Sequence, residues 1–440
     1  MRVARASFAA LVALALALAP AAPAAATAAA LVPTTAAPAF PDDPADPIRQ
    51  AEYWLDSLGI RAAWQTTRGA GQTIAIIDTG IGAGPPEFAG AVVGGTDVSG
   101  SGSSDGRTPV GAVDANHGSW VASLAAGRGT GDGTGMIGVA PEASLLSISL
   151  GFGQAGRVPF VEQVATAITW AVDQGATVIN LSFTTNTLDW DPLWDEAFQY
   201  AFDNDVVIVV AAGNRGSGTT LVGAPATIPG VLTVGGVDPS GAASVEASTQ
   251  GITIGVSAPS EELLGVSADG RIVRWSGTSG AAPIVAGVAA LVRAAHPRLD
   301  LAGVVNRLVQ TATPAPAASA RPDPLYGYGI VNAQAAVEAE VAPVSANPMG
   351  DLAEWIRLYR RADVDPQPEQ TDESAAEIPP LPPADPPSER ASALLPSADS
   401  LRYGTLPLVA GTVAGILVAL GVTAAVRRIR SARTQPRSTP

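Results

Sequence analysis

Between residues 51 and 341 the chain alternates short runs of consecutive β-branched residues with longer stretches whose apolar positions recur at helical spacing, and few architectures accept that alternation. Residues 73–77, 145–149, 176–181, 206–211 and 231–234 are apolar at successive positions, as strands covered on both faces must be. Residues 161–174 carry Val161, Val164, Ala165, Ile168 and Val172 on one helical face, and residues 192–204 read likewise. Strand–helix–strand alternation predicts an α/β fold of three layers, a mostly parallel central sheet with helices on both sides. Such sheets present their reactive groups at the C-terminal ends of the strands.

A chain of 440 residues that is 47% hydrophobic and 15% charged has enough apolar surface for a sizeable core. The formal net charge is −15, and because the last fourteen residues hold five Arg and no acid, the rest of the chain sums to −20. Nucleic acid is therefore not an expected partner, since phosphate recognition needs clustered cations. The absence of cysteine excludes disulfides, thiol nucleophiles and thiolate metal sites.

Both ends have the character of membrane-directed segments. Residues 1–26 open with Arg2 and Arg5, continue as an Ala/Leu/Val run and end in small residues, which is the pattern of a secretory signal peptide; the alternative is an uncleaved N-terminal anchor. Residues 27–50 form a short extension before a domain-sized body at 51–341. Residues 342–402 are rich in Pro, Asp, Glu and Ser and read as a linker, with one amphipathic piece at 352–359. Residues 403–426 are uncharged and long enough to span a bilayer, and Arg427, Arg428, Arg430, Arg433 and Arg437 follow at 427–440. Arginines beyond a span mark its cytoplasmic side, so the expectation is a single-pass protein of the cell membrane with its body extracytoplasmic.

Three motifs fall where chemistry belongs. TIAIIDTG delivers Asp78 at the end of an apolar strand, although an acid there could equally cap the next element or bind a metal or ribose. NHGSWVASLAAG places His117 before a helix rich in small residues. GTSGAAPIVAGVAALV places Ser279 in the first turn of a long helix, where it is either a simple cap or a nucleophile whose own N–H can hold an oxyanion. Only two histidines exist, and one stands between the Asp and Ser motifs. Asp97, Asp105, Asp114 and Asp132 lie in Gly-rich loops that could bind structural Ca²⁺, but no ligand spacing emerges and no cofactor or metal is expected. His296, at a helix end before Pro297, reads as structural.

Taken together, D-T-G at Asp78, H-G-S-W-V-A at His117, G-T-S-G-A-A-P at Ser279 and VVIVVAAGN ending in Asn214 resemble the motifs of the subtilases. The resemblance runs from about residue 51 to 340 and includes GVAPEASLLSI, VINLS and YGYGIVNAQAAV. Within that family the AEYWLDSLGIRAAW segment, the VVNRLVQTAT helix, the Pro-rich linker and the C-terminal span with its arginines are most similar to the membrane-anchored mycosins of type VII secretion, although mycosins usually carry cysteine.

The resemblance implies a subtilisin-like fold and a serine endopeptidase with Asp78, His117 and Ser279 as its triad. It also implies an oxyanion site made by the Asn214 amide and the Ser279 N–H. Extended peptide would lie between Ser182-Phe183-Thr184 on one edge and a segment from Gly153 to Gly156 on the other. Thr184 stands where the family commonly has Gly, which would narrow the cleft. Trp120 and Gly280 fill variable motif positions and are expected to stay clear of the proton-transfer groups. Implied partners are a protein or peptide substrate, the membrane and secretion-complex proteins. The rival readings are a catalytically dispensable scaffold that stabilises a secretion complex, and an esterase or ligase built on the same triad.

Overall fold

Strand β1 (Thr73–Asp78) turns Ile74 and Ile76 into one apolar cluster and Ala75 and Ile77 into another, so both faces of the sheet are covered. The computed structural model describes residues 45–111, 115–131, 133–360 and 406–433. Helices α1 (Pro47–Ala51), α2 (Trp54–Ser57) and α3 (Ile60–Ala63) precede β1; β2 (Val92–Asp97), α4 (His117–Ala126), β3 (Ser144–Ser149) and α5 (Phe160–Asp173) follow it. Next come β4 (Val178–Leu181), α6 (Pro192–Asp203), β5 (Val207–Ala211), β6 (Leu232–Val237) and β7 (Ile254–Pro259). A hairpin of β8 (Leu263–Val266) and β9 (Ile272–Trp275) then leads into α7 (Thr278–Ala295), α8 (Leu301–Thr311), α9 (Ala333–Glu338) and α10 (Leu352–Tyr359).

The seven strands pair in the order β2-β3-β1-β4-β5-β6-β7, and every pairing is parallel. The expected three-layer α/β arrangement is therefore present. The order reverses direction at β1, whose neighbours are β3 and β4, the kind of switch point at which open parallel sheets generally form a crevice. Helix α7 is the heart of one layer: its Ala, Val and Ile side chains are almost wholly buried beside α4, α8 and α9. The other layer is α5 and α6, joined by α10 through buried Leu352.

The packed body extends past both expected boundaries. At its start Asp46 accepts from Ile48 N and Gly135 N, each at 2.7 Å, Arg49 Nε donates to Gly133 O at 3.1 Å, and Glu52 Oε1 accepts from Ile137 N at 2.7 Å. At its end α10 stacks Trp355 on Trp190, with ring centroids 4.4 Å apart. Arg360 closes that contact, donating to Asp195 at 2.8 Å and to the Trp190 carbonyl at 2.9 Å. Residues 342–360 thus pack with the body, because the eight-residue amphipathic helix α10 finds an aromatic partner in Trp190, just before α6. The signal-peptide reading of 1–26 and the rest of the linker reading lie outside the described residues. Separately, α11 (Leu406–Arg433) is a 28-residue helix whose described apolar side chains are exposed, covering residues 406–426 of the expected span and four of the five arginines.

Candidate active site

Asp78 ends β1 in the centre of the sheet and is fully buried. Its neighbours are fixed by the two residues after it. Thr79 N donates to Asp78 Oδ1 at 2.7 Å, while Thr79 Oγ1 donates to Ala115 O at 2.9 Å and accepts from Gly118 N at 2.8 Å. The D-T-G turn is thereby sewn to the start of α4. A Cβ on Gly118 would lie 2.5 Å from the backbone carbonyl oxygen of Gly80, so only glycine at 118 allows the helix this close to the turn. The result is that His117, first residue of α4, sets Nδ1 at 2.8 and 2.9 Å from the two Asp78 carboxylate oxygens.

Ser279 is the second residue of α7, where the helix supplies no acceptor for its N–H. Pro283, four residues on, cannot donate to the Ser279 carbonyl as a helical residue would. Ser182 Oγ takes that role at 2.8 Å and is itself steadied by Asn180 Nδ2 at 2.8 Å. In return Ser279 Oγ donates to Ser182 O at 3.0 Å, so the Ser motif is joined twice to the end of β4. Gly277 enters the helix at φ 147°, and a Cβ there would approach Asn214 Nδ2 to 3.0 Å.

Asn214 follows β5, and its Oδ1 accepts from Thr278 N at 2.7 Å and from Thr278 Oγ1 at 2.9 Å. Gly213 N donates to Thr278 Oγ1 at 3.0 Å, which commits the hydroxyl proton to Asn214. The amide orientation is therefore dictated: Oδ1 is held by Thr278 and Nδ2 is left to serve as a donor. Asp78, Ser182 and Asn214 all stand just at or past the C-terminal ends of neighbouring parallel strands. Sequence reading did not single out Thr79 and Thr278 as orienting groups, although both sit inside the motifs it used.

Among the expected peptide-binding residues, Phe183 packs against Phe152 and Phe160 at 5.7 and 5.4 Å between centroids. Gly153 begins a short 3-10 turn at φ 58°, and the backbone of Gly156 returns against Gly151. Thr184 Oγ1 donates to Gly223 O at 2.8 Å, and its methyl lies 2.7 Å from where a Gly213 Cβ would be, so it leans toward the residue before Asn214. The expectation for Trp120 needs correction. One helical turn after His117 on the same face, its ring lies edge-on to the imidazole at 6.3 Å.

Other acids and histidines lie apart. Asp97 and Asp105 are spent on local turns, accepting from Ser99 and from Ser103 and Arg107. Asp114 and Asp132 lie outside the described residues, among which no cluster suited to a metal ion occurs. His296 Nε2 bonds Val337 O at 2.7 Å at the far end of α7.

Residues 69–329, more than half of the chain, match the subtilase family, Peptidase S8. Mycosin-3 of Mycobacterium tuberculosis (strain ATCC 25618 / H37Rv) is 37% identical over 313 residues, covering 58% of this chain. The chain spans just under two thirds of that relative, 65% of its length. Mycosin-4 of the same organism is 35% identical over 66% of this chain and 70% of its own length. Among solved structures, the MycP3 protease from the type VII (ESX-3) secretion system superposes with a TM-score of 0.56 at 35% identity, over 66% of this chain and 88% of that one. Motifs, parallel sheet and site geometry agree with these likenesses: the chain belongs to the subtilase family, among relatives that include the mycosins.

Proposed function

We propose that this chain is an extracytoplasmic serine endopeptidase anchored by α11, with Asp78, His117 and Ser279 as its triad. The observation that carries the reading is the convergence of three remote segments. A fully buried Asp78 gives both oxygens to His117 Nδ1, α4 lies against the start of α7, and Ser279 begins α7 beside an Asn214 amide whose orientation is fixed. The contact between helices is close, since a Cβ on Gly280 would lie 3.2 Å from Leu124.

A hydrogen bond from Nδ1–H to the Asp78 carboxylate, which stays ionised, leaves Nε2 of His117 as the base. As Ser279 Oγ bonds to the substrate's carbonyl carbon, its proton passes to Nε2 and the carbonyl electron pair moves onto oxygen. That oxyanion is received by the Ser279 N–H and Asn214 Nδ2. Collapse of the tetrahedral species breaks the C–N bond, the departing amine takes the proton from Nε2, and water repeats the sequence on the acyl-enzyme. Peptide would bind between the 153–156 segment and Ser182-Phe183-Thr184.

The exposed apolar face of α11 and the arginines at its end support a membrane span with the C-terminus cytoplasmic. A second long apolar helix, α7, is 83% buried in the body and serves as core instead. The mycosin relatives, one described as part of a type VII secretion system, support a role beside such a complex. The domain plan is then a signal segment, a peptidase body, a linker, one span and a short basic tail.

The test is fluorophosphonate labelling of the purified full chain in detergent, beside Ser279→Ala and His117→Ala. Labelling confined to the native protein is expected. A native chain with an intact fold that takes no label would favour the scaffold, and label that persists in Ser279→Ala would move the nucleophile elsewhere.

A further inference from the structure

The β8–β9 hairpin stands outside the seven-stranded sheet, yet it is bonded to α4 at three successive places. Ala268 N donates to Asn116 Oδ1 at 2.9 Å, Trp120 Nε1 donates to Ser267 Oγ at 2.9 Å, and Val266 N donates to Ser123 Oγ at 3.2 Å. Its second strand ends at Trp275, four residues before Ser279. The hairpin therefore ties the helix that carries His117 to the segment that delivers Ser279.

Two indoles from these elements meet the imidazole. Trp275 lies 5.7 Å from His117 between centroids at 75°, Trp120 lies 6.3 Å away at 60°, and the indoles are 5.6 Å from each other. Neither indole is free to turn, because Trp275 Nε1 donates to Leu264 O at 3.0 Å and Trp120 Nε1 to Ser267 Oγ. The neighbouring space is made by Gly280, whose Cβ would fall 2.3 Å from Leu263 Cδ1 and 3.3 Å from Trp275 Cη2. The small residue after the nucleophile and the large one before it are thus complementary.

Nδ1 lies nearly symmetrically between both Asp78 oxygens, which holds one corner of the ring, and the two indoles pack against its side. We infer that Trp275 and Trp120 are positioning residues that set the orientation of the His117 ring, so that the hairpin holds base and nucleophile in register. The inference rests on the serine-protease reading above. Neither indole is assigned a step in the chemistry; both act through His117.

The test measures saturable fluorophosphonate inactivation of the full chain, which separates the limiting rate kinact from the affinity KI and requires no knowledge of the natural substrate. Trp275→Ala is expected to lower kinact about 3- to 10-fold, the effect of losing one edge-on aromatic contact, with KI within about twofold of the parent. Trp275→Phe, which keeps a ring without the N–H, should recover most of the rate; Trp120→Ala and Trp120→Phe should follow the same order. An unchanged kinact in both Ala variants overturns the inference. So does a raised KI with kinact preserved, which would make the indoles a ligand wall, and so does equal loss in Ala and Phe variants in step with a lowered Tm. Failure of the native chain to label, or label that survives Ser279→Ala, would instead remove the protease reading itself.

Discussion

Replacing Asn214 with Ala should lower kcat about 10²–10³-fold, the range known for loss of one such donor in a subtilisin, equivalent to about 2.7–4 kcal/mol. The structure also sets how neighbouring changes should rank. Thr278→Val keeps the shape of the side chain and the 2.7 Å backbone bond to Asn214 Oδ1 but removes the hydroxyl bond at 2.9 Å. One neutral hydrogen bond has a net worth of about 0.5–1.5 kcal/mol, so kcat should fall about 2- to 12-fold. The same change strips the acceptor from the buried Gly213 N–H and should cost about 1–3 kcal/mol of stability. Asn214→Asp keeps the bonds from Thr278 yet sets an acceptor where the oxyanion develops, so its loss should be at least that of Ala. Initial rates on a fluorogenic peptide, resolved into kcat and KM and paired with thermal melts, would show the ranking. A kcat for Asn214→Ala within about threefold of the parent, with Thr278→Val the more damaged, would refute the assignment of Asn214.

Thr184→Gly should broaden the range of cleaved peptides by freeing the space beside Gly213, read from a cleavage profile across a peptide library; an unchanged profile would show that this side chain does not gate the cleft. Trp355→Ala should release residues 352–360, raising their hydrogen-exchange rates while the rate of active-site labelling stays within about twofold of the parent. Burial alone would raise the Asp323 carboxyl, but hydrogen bonds from Leu325 N, Ser319 N, Ser319 Oγ and Tyr326 N outweigh it and hold the group below the usual aspartate value. Its contribution is complete above the ordinary value near pH 4 and is lost as pH falls through the depressed one, so Asp323→Asn should flatten acid unfolding below about pH 4.

The core strands were legible because a strand covered on both faces must be apolar throughout: residues 73–77, 145–149 and 206–211 each lie within about one residue of the observed elements. Strand β2 escaped notice since VVGGTD carries two glycines and is only half buried, leaving no apolar run to read. The β8–β9 hairpin escaped as well, for its purpose is set by contacts with α4 across a long stretch of chain rather than by local pattern. Asp78, His117, Ser279 and Asn214 could be singled out as candidates because each belongs to a short motif. What orients them was less so: the part played by Ser182 toward Ser279 follows from Pro283 having no N–H to give, a fact that matters only once β4 is in place. Trp275 gave no signal at all, since an aromatic before a loop gains meaning only from the ring it meets.

The central place of β1 and the late arrival of α7 make the order of synthesis significant. Asp78 is made early, but Ser279 comes about two hundred residues later, on an apolar helix that follows every strand of the sheet in the chain. A growing chain consequently has no assembled centre until α7 is made. Reactivity and completion of the last layer become a single event, and long-range closure of this kind is intrinsically slow. On the proposed reading of the chain as an exported peptidase, that delay is itself a safeguard.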